Sequence, residues 1–406
     1  MYKSAMRQRL DFLFLNIGHF FDHFFILIFA TAAALALTQE WGLSYAELIP
    51  YATPGFIAFG VATIPAGWLA DKWSRSGMMA VFFIGIGACS VLSAFADSPL
   101  TIAIGLTFVG LFAAIYHPVG IAMVVQSHTR TGMALAINGV FGNLGVASAA
   151  LVTGFFIDVS GWRAAFIIPG VLCIACGIAY IVFLASGRGA GPAAANASAQ
   201  TPAVVPRDLL VRIFTITIIS TAIGGLIFQS ATFALPKVLD ERLSGLASTA
   251  TAVGWYAFVV FAIASFAQIV VGILIDRGSA RSIFLVVAAM QAVLFWAMQG
   301  ADGLLALLVS AGFMLAVFGQ IPINDVLIGR IAKGEWRSRI FAIRYVLTFA
   351  ISATAVPLIA WIHAGWGFDR LFLVLALSAF AILCVVFFLP AGAAVLHGAA
   401  APKAAE

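Results

Sequence analysis

The sequence predicts an all-α integral membrane protein, with twelve transmembrane helices in two pseudo-symmetric six-helix bundles. Three observations carry this prediction: the composition, the number of long apolar runs, and a set of landmarks found in both halves of the chain. Of the 406 residues, 63% are hydrophobic and 9% are charged, whereas soluble domains carry about 25% charged residues. So few charges cannot cover a soluble surface. The composition therefore excludes a soluble enzyme, a nucleic-acid-binding protein and a disordered chain.

The apolar runs are long and continuous, which indicates membrane-spanning helices, because transmembrane strands would need an alternating pattern. A bilayer core about 30 Å thick requires roughly 20 helical residues. Charged and turn-forming residues separate the runs and delimit twelve candidate spans. In chain order, spans 1 to 12 are predicted at 12–37, 47–70, 77–96, 99–125, 132–157, 163–185, 209–236, 249–275, 282–300, 303–329, 338–363 and 370–390.

A segment rich in Ala, Gly, Ser and Pro follows span 6 at 186–206. It is short of large apolar residues, which is typical of a flexible linker. The chain is therefore expected to have three parts. They are an N-terminal six-helix bundle (1–185), a flexible cytoplasmic linker (186–207), and a C-terminal six-helix bundle with a short cytoplasmic tail (208–406).

Three landmarks occur in the same order in both halves. The segment GWLADKWSR at 67–75 follows span 2, and GILIDRGSAR at 272–281 follows span 8, with an offset of 205. GWRAAF at 161–166 and GFDRLF at 367–372 open spans 6 and 12, with an offset of 206. YHP at 116–118 matches QIP at 320–322 with an offset of 204. Three landmarks at nearly one offset indicate a duplicated six-helix unit.

The positive residues predict the orientation. If the N-terminus is cytoplasmic, 16 of the 21 Lys and Arg residues lie in cytoplasmic segments, four lie on the opposite side, and Arg344 lies within a span. Cytoplasmic loops carry an excess of Lys and Arg. We therefore expect a multi-pass protein of the cell inner (plasma) membrane with both termini in the cytoplasm.

The segment after span 2 resembles the G-x-x-x-D-[RK]-x-x-R motif of the major facilitator superfamily, and a second copy follows span 8. The resemblance covers the whole chain, because the twelve spans and the central linker also match that family. It implies two six-helix bundles, a central cavity lined mainly by spans 1, 4, 7 and 10, and alternation between inward-open and outward-open states. Within the superfamily, GHFFDH in span 1 and YHP in span 4 are loosely similar to the fosmidomycin-resistance-like drug exporters.

The resemblance further implies that the two motif copies act as latches of a cytoplasmic gate. Asp71 would meet the positive N-terminus of span 11 and could pair with Arg337 or Arg339, and Asp276 would do the same against span 5. A competing interpretation is that these loops are turns whose charges only set the topology. The predicted gating residues are Gly67, Asp71, Lys72, Arg75, Asp276, Arg277, Arg281, Asp325, Arg337 and Arg339.

Span 1 carries four polar residues, Asn16, His19, Asp22 and His23, whose spacing puts them along one stripe of a helix. If the span begins near Asp11, Asp22 lies roughly 17 Å into it, close to the middle of the bilayer. Ionisable groups at that depth are costly and mark functional sites. A carboxylate between two imidazoles could exchange a proton near neutral pH. The same residues could instead form a structural hydrogen-bond cluster or, with His117, a metal site.

Further candidates lie in spans 4, 7, 10 and 11. Proline at position 118 is expected to bend span 4 beside Tyr116 and His117. Asp325 and Arg344 are predicted to form an ion pair, either as a structural staple or as a gate. Alternatively, Arg344 faces the cavity and holds a carboxylate. The predicted coupling and substrate residues are Asn16, His19, Asp22, His23, Tyr116, His117, Gln229, Gln320, Asn324 and Arg344.

The polar stripe favours a secondary active transporter for a small organic solute, with proton coupling through Asp22 and with drug or metabolite efflux as one direction of transport. A second hypothesis is an importer or facilitator of a small organic anion, anchored by Arg344. A metal transporter and a non-transporting membrane sensor are less favoured. No Walker motif is present, and neither enzymatic activity nor a cofactor or resident metal is expected. The expected partners are the solute, protons and lipid, with no nucleic acid, and the protein is expected to be a monomer.

Overall fold

The computed structural model describes residues 2–128, 131–188, 207–331 and 336–390, and every regular element in these ranges is helical. Eleven helical segments within them are long and apolar enough to cross a membrane, one fewer than predicted. The difference lies at the C-terminal end, where Trp336–Phe387 is continuous over 52 residues. A straight helix of that length would measure about 78 Å. Its backbone leaves the helical region at Gly367 (φ 71°), which separates spans 11 and 12.

The helix bounds follow the predicted spans closely. The principal α-helices of spans 1 to 6 are Tyr2–Ala32, Thr53–Lys72, Arg75–Ser93, Pro99–Ala113 with Tyr116–Ser127, Thr131–Ser160 and Trp162–Phe183. Span 1 continues through a π-helical turn, Ala33–Leu37, to Thr38–Trp41, and span 2 is preceded by Tyr45–Leu48 and the 3-10 turn Ile49–Ala52. Span 6 ends in the π-helical turn Leu184–Arg188. Spans 7 to 10 are Arg207–Arg242, Ala250–Ser265 with Ala267–Arg277, Ala280–Ala297 and Gly303–Ile331.

Span 4 is interrupted between its two helices, at Ala114 and Ile115. Pro118 has no backbone N–H, so the carbonyl of Ala114 lacks its helical donor and the helix is interrupted there. The interruption lies beside the predicted bend, which itself stays a prediction. Span 10 carries Pro322 at the matching position and nevertheless remains one helix. The break places Tyr116 at the start of a new helix beside span 1.

The two bundles use the same pairs of helices. Span 1 packs along span 5, span 2 along span 4, and span 3 along span 6, and spans 7, 8 and 9 pack correspondingly along spans 11, 10 and 12. In the C-terminal bundle, Ser352 of span 11 donates a hydrogen bond to the carbonyl of Gly225 in span 7. The ring of Phe295 in span 9 lies 6.3 Å from that of Phe372 in span 12. The repeated packing agrees with the duplication predicted from the sequence.

The bundles meet along two seams, between spans 5 and 8 and between spans 2 and 11. At the first seam, a Cβ on Gly254 would lie 2.5 Å from the carbonyl oxygen of Ala150, and a Cβ on Gly154 would lie 2.8 Å from the carbonyl carbon of Ala250. Only glycine permits such an approach of two backbones. Small residues at helix crossings are typical of membrane proteins, and here they join the two bundles.

One end of the molecule, which we call the far end, lies opposite the two loops that carry the repeated motif. There the bundles are tied by polar and aromatic contacts. Asp158 accepts hydrogen bonds from the backbone N–H groups of Ala250 and Thr251, at 3.2 and 2.7 Å, across the first seam. The ring of Tyr45 lies 5.4 Å from that of His363 across the second seam. The far end is therefore closed in this conformation.

Candidate functional site

The polar stripe of span 1 points into the protein rather than toward its outer surface. Asp22 is completely buried, Asn16 and His19 are buried, and His23 is half-buried. Glycine at position 18 lets span 1 lie against the ring of Tyr116, because a Cβ there would be 2.9 Å from that ring. The stripe thus faces the start of the second helix of span 4. All four polar residues lie on the interior face that their spacing predicts.

Asp22 pairs with His117 of span 4. Its Oδ2 lies 3.2 Å from Nε2 of His117, and the His117 side chain is 12% exposed. Its other oxygen, Oδ1, has no hydrogen-bond partner among the described residues. The sequence suggested a carboxylate between His19 and His23; instead the carboxylate is held by an imidazole from another helix. His117 lies at the start of the second helix of span 4, which packs beside span 1.

Two further imidazoles, those of His19 and His23, lie beside the His117 ring of that pair. The ring centroid of His19 lies 4.9 Å from that of His23 and 5.5 Å from that of His117, and His23 and His117 are also 5.5 Å apart. His19 and His23 are neighbours because they are four residues apart on one helix. One nitrogen from each of the three rings lies within 4.8 Å of the others. We call these three residues the histidine cluster.

Asn138 of span 5 forms hydrogen bonds with residues of spans 1 and 4 at this site. Its Nδ2 donates to Oδ1 of Asn16 at 3.0 Å and to the hydroxyl of Tyr116 at 2.9 Å, and Tyr116 donates to the carbonyl of Leu15 at 2.7 Å. The backbone carbonyl of Asn138 accepts from Nδ1 of His19 at 2.7 Å. Sequence reasoning gave Asn138 little weight. The signal that identifies it is an amide within a long apolar span, where a polar group needs partners.

Two glycines of span 5 bring that helix against span 1. A Cβ on Gly142 would lie 2.7 Å from Nε2 of His19, and Gly145 lies against the backbone of Phe20. Small residues allow helices to pack closely in membranes, and these two contacts are examples of it. Nε2 of His19 is buried by this approach and has no hydrogen-bond partner among the described residues.

The polar residues of the C-terminal bundle form a separate network around Gln320. Its Oε1 accepts from Nε2 of Gln291 in span 9 at 2.7 Å, and its Nε2 donates to the carbonyl of Ser220 in span 7 at 3.3 Å. The Ser220 hydroxyl donates to Oδ1 of Asn324 at 3.4 Å. Sequence reasoning missed Ser220 and Gln291, whose neutral side chains are inconspicuous in apolar spans. Gln229 of span 7 is buried too, and its Nε2 has no partner among the described residues.

The two networks occupy matching positions but differ in chemistry. At the offset of 204 that relates Tyr116 to Gln320, Asn16 corresponds to Ser220. His19, Asp22 and His23 correspond to apolar residues at the same offset, namely Ile223, Leu226 and Ile227. The duplicated scaffold therefore carries ionisable groups on span 1 and none at the matching places on span 7.

The predicted latch residues lie at the motif end. Asp71 pairs with Arg75 of its own motif copy, with Nη2 of Arg75 2.7 Å from Oδ1, and the Asp71 side chain is 63% exposed. Gly67 allows span 2 to approach Pro118, which would lie 3.2 Å from a Cβ at that position. Arg281 donates to the carbonyl of Phe387 at 2.7 Å. Three further gating candidates are exposed here, Lys72, Asp276 and Arg277.

Two predicted ion pairs involve side chains outside the part of the chain that the structure describes. The side chains of Arg337 and Arg339 are among these, so the latch of Asp71 with span 11 stays a prediction. The same holds for the pair of Asp325 with Arg344, and for Arg344 as an anion anchor. Most of the predicted linker also lies outside the described residues.

Comparison with known proteins gives a family match. The model of the Major Facilitator Superfamily matches residues 15–253, more than half of the chain. The 4-hydroxybenzoate transporter PcaK of Pseudomonas putida is 28% identical over 155 residues, which cover 37% of this chain and 34% of that protein. The niacin transporter NiaP of Acinetobacter baylyi is 32% identical over 142 residues, covering 34% and 32%. The chain thus spans about a third of the length of these relatives.

Among solved structures, the fold is similar to that of a D-xylose-proton symporter. The TM-score is 0.71 at 15% sequence identity, and the alignment covers 94% of this chain and 97% of that one. At this identity the similarity shows the fold alone. It confirms the prediction of a helical membrane protein built from two six-helix bundles.

Proposed function

Because the chain belongs to the Major Facilitator Superfamily, we propose that it is a secondary active transporter that moves a small organic solute by alternating access, coupled to protons. It is an integral membrane protein of eleven described apolar segments, the last of which contains two spans. We place it in the cell inner membrane with both termini in the cytoplasm, as the distribution of Lys and Arg predicts. It would act as a monomer on a soluble solute and protons.

The observation that carries the proposal is the buried pair of Asp22 and His117 between spans 1 and 4. A charged group at the centre of a bilayer costs at least about 2.5 kcal/mol on insertion scales. A group kept at that cost marks a site of function. Carboxylate and imidazole can pass a proton when their access to water changes. In our proposal, His19 and His23 assist this exchange, and Asn16 and Tyr116 hold the helices that carry it.

Alternating access requires that each end of the molecule open in turn. The ties of Asp158 and Tyr45 hold the far end closed, while the latch acids Asp71 and Asp276 are exposed at the motif end. We propose that this conformation faces the motif end, and that the latches engage in the opposite state. Asp71 would then leave Arg75 for the N-terminus of span 11.

A second candidate function is the import or facilitated passage of a small organic anion. Two relatives favour it, since one transports 4-hydroxybenzoate and the other niacin, and both compounds carry a carboxylate. The substrate would contact Gln229, Gln320 and Asn324, with Arg344 as the anion anchor. This candidate differs from the first in that the substrate is an anion and that it enters the cell. It uses the same scaffold.

The proposal is tested by uptake into proteoliposomes that contain the full chain. A panel of aromatic carboxylates, neutral sugars and cationic drugs is offered with and without an imposed proton gradient. We expect one class to accumulate, and the accumulation to collapse when a proton ionophore is added. Protein-free liposomes provide the background. Uptake at background level for every class, by protein shown to be folded, would argue for a membrane sensor in place of a transporter.

A further inference from the structure

We propose that His19, His23 and His117 form a binding site for a divalent late transition metal, with Zn²⁺ as the representative ion. Nothing in solute or proton transport requires such a site, so the inference goes beyond the proposed function and does not depend on it. The three rings supply one nitrogen each within 4.8 Å of one another. Two of the ligands come from adjacent turns of span 1, and the third comes from the start of the second helix of span 4.

The spacing fits a metal after a small adjustment. Nitrogen ligands lie about 2.05 Å from Zn²⁺, so two corners of a tetrahedron are about 3.4 Å apart. The three nitrogens therefore need to approach one another by at most about 1.4 Å when the ion binds. Three histidines with one open position form a known type of zinc site.

The surroundings of the cluster also match those of a metal site. Metal-binding histidines commonly donate their second ring N–H to a backbone carbonyl or a carboxylate, which fixes the ring and its tautomer. Nδ1 of His19 donates to the carbonyl of Asn138 at 2.7 Å, which leaves Nε2 as the coordinating atom. That Nε2 has no hydrogen-bond partner among the described residues. Nε2 of His117 lies 3.2 Å from the carboxylate of Asp22, so coordination by His117 would use Nδ1.

Hydrogen bonding alone explains the cluster incompletely. It accounts for one nitrogen of His19 and for the contact of His117 with Asp22. The described contacts of His23 are with the rings of His19 and His117. A metal ion bound by all three residues would explain why the His23 ring lies beside the other two rings. Imidazole ligands select Zn²⁺, Cu²⁺, Ni²⁺ or Fe²⁺, and disfavour Mg²⁺ and Ca²⁺, which prefer oxygen. His23 itself is half-buried.

The experiment measures Zn²⁺ binding by the full-length protein, purified in detergent without a polyhistidine tag. Isothermal titration should show one saturable Zn²⁺ site per chain. His23→Gln and His117→Gln should each weaken binding at least tenfold. His128→Gln and His363→Gln are the matched controls, because those histidines lie outside the cluster, and binding should be unchanged. Melting in the absence of metal shows that each variant is folded.

A second variant reports coordination directly. His23→Cys should still bind metal, and with Co²⁺ it should add a thiolate-to-metal charge-transfer band that the native protein lacks. Only a side chain bonded to the ion can produce that band. The inference is overturned if the native protein shows no saturable site, or if His23→Gln and His117→Gln bind Zn²⁺ as tightly as the native protein. It is also overturned if His23→Cys binds Co²⁺ without the new band.

Discussion

At the scale of single residues, the N-terminal bundle depends on one hydroxyl and one amide. The hydroxyl of Tyr116 accepts from Asn138 and donates to the carbonyl of Leu15, so it joins spans 1, 4 and 5. Its ring also stacks on that of His19, with centroids 4.8 Å apart. The position of the histidine cluster therefore depends on this side chain in two ways, through polar contacts and through ring packing.

Replacing Tyr116 by phenylalanine separates these two contributions. Tyr116→Phe keeps the ring and removes two buried hydrogen bonds, so we expect the free energy of unfolding to fall by about 1–2 kcal/mol. Thermal or denaturant unfolding in mild detergent measures the loss. Tyr51→Phe is the control, because the Tyr51 side chain is exposed and its loss should cost little. Equal stability of Tyr116→Phe and the native protein would show that the hydroxyl does not join the three helices.

The sequence predicted which residues form this site better than it predicted how they pair. The stripe of Asn16, His19, Asp22 and His23 follows from helical periodicity, which one segment determines alone. The pairing of Asp22 with His117 depends on how span 4 bends and on its rotation against span 1. Those quantities arise from packing between segments distant in the chain, and no local pattern encodes them.

At the scale of helices, the crossing of spans 5 and 8 joins the two bundles through direct backbone contact. Gly154 and Gly254 let the backbones touch, and Asp158 accepts from the first N–H groups of span 8. A carboxylate there also meets the positive end of a helix. Both interactions lie at the far end, and we expect them to be lost when that end opens. In that case they favour this conformation over the opposite one.

Enlarging Gly254 should open this crossing. A Cβ there would lie 2.5 Å from the carbonyl oxygen of Ala150, so Gly254→Leu should shift the population toward the state open at the far end. A reporter, Phe56→Cys, is placed where the ring of Phe56 contacts Phe233 of the other bundle, in a chain whose four native cysteines are changed to serine. We expect its reaction with a membrane-impermeant maleimide to accelerate several-fold.

The matched control for this experiment is Gly245→Leu, since nothing lies within 4 Å of a Cβ at Gly245. That variant should label at the rate of the native background. If Gly254→Leu labels no faster than Gly245→Leu while remaining folded, the crossing does not hold the far end closed.

At the scale of the whole molecule, the fold was predictable because it follows from features that extend over many residues. Twelve apolar runs, a linker and a duplicated set of landmarks require only composition and length to recognise. The turn at Gly367 shows the limit of this approach. The two last spans follow each other so closely that their helices merge, and a glycine at φ 71° is what separates them. The pairing of Arg344 with Asp325 stays a prediction, because the Arg344 side chain lies outside the part of the chain that the structure describes.

The predicted orientation has a direct test with reporter fusions. Because 16 of the 21 Lys and Arg residues lie on the side of the N-terminus, both termini should be cytoplasmic. A fluorescent protein fused after position 390 should fluoresce, and alkaline phosphatase fused there should be inactive. Phosphatase fused within the loop between spans 7 and 8, near Gly245, should be active. The reverse pattern would show that the motif end faces away from the cytoplasm, and the predicted orientation would be wrong.

The two bundles share one scaffold, but His19, Asp22 and His23 of span 1 have apolar residues at the matching positions of span 7. In the proposed function, this asymmetry corresponds to proton exchange in spans 1 and 4, with solute contacts extending to spans 7 and 10. The central claim is that Asp22 carries the coupled proton. Asp22→Asn keeps the size of the side chain and removes its ability to ionise, and Asp97→Asn, in the loop before span 4, is the control.

The most direct measurement is solute-dependent proton movement into proteoliposomes, followed with a pH-sensitive dye beside solute uptake. For Asp22→Asn we predict at least a tenfold loss of both proton movement and gradient-driven accumulation, while Asp97→Asn resembles the native protein. If folded Asp22→Asn protein moved protons with its solute at the native rate, the coupling site would lie elsewhere and the account would be contradicted.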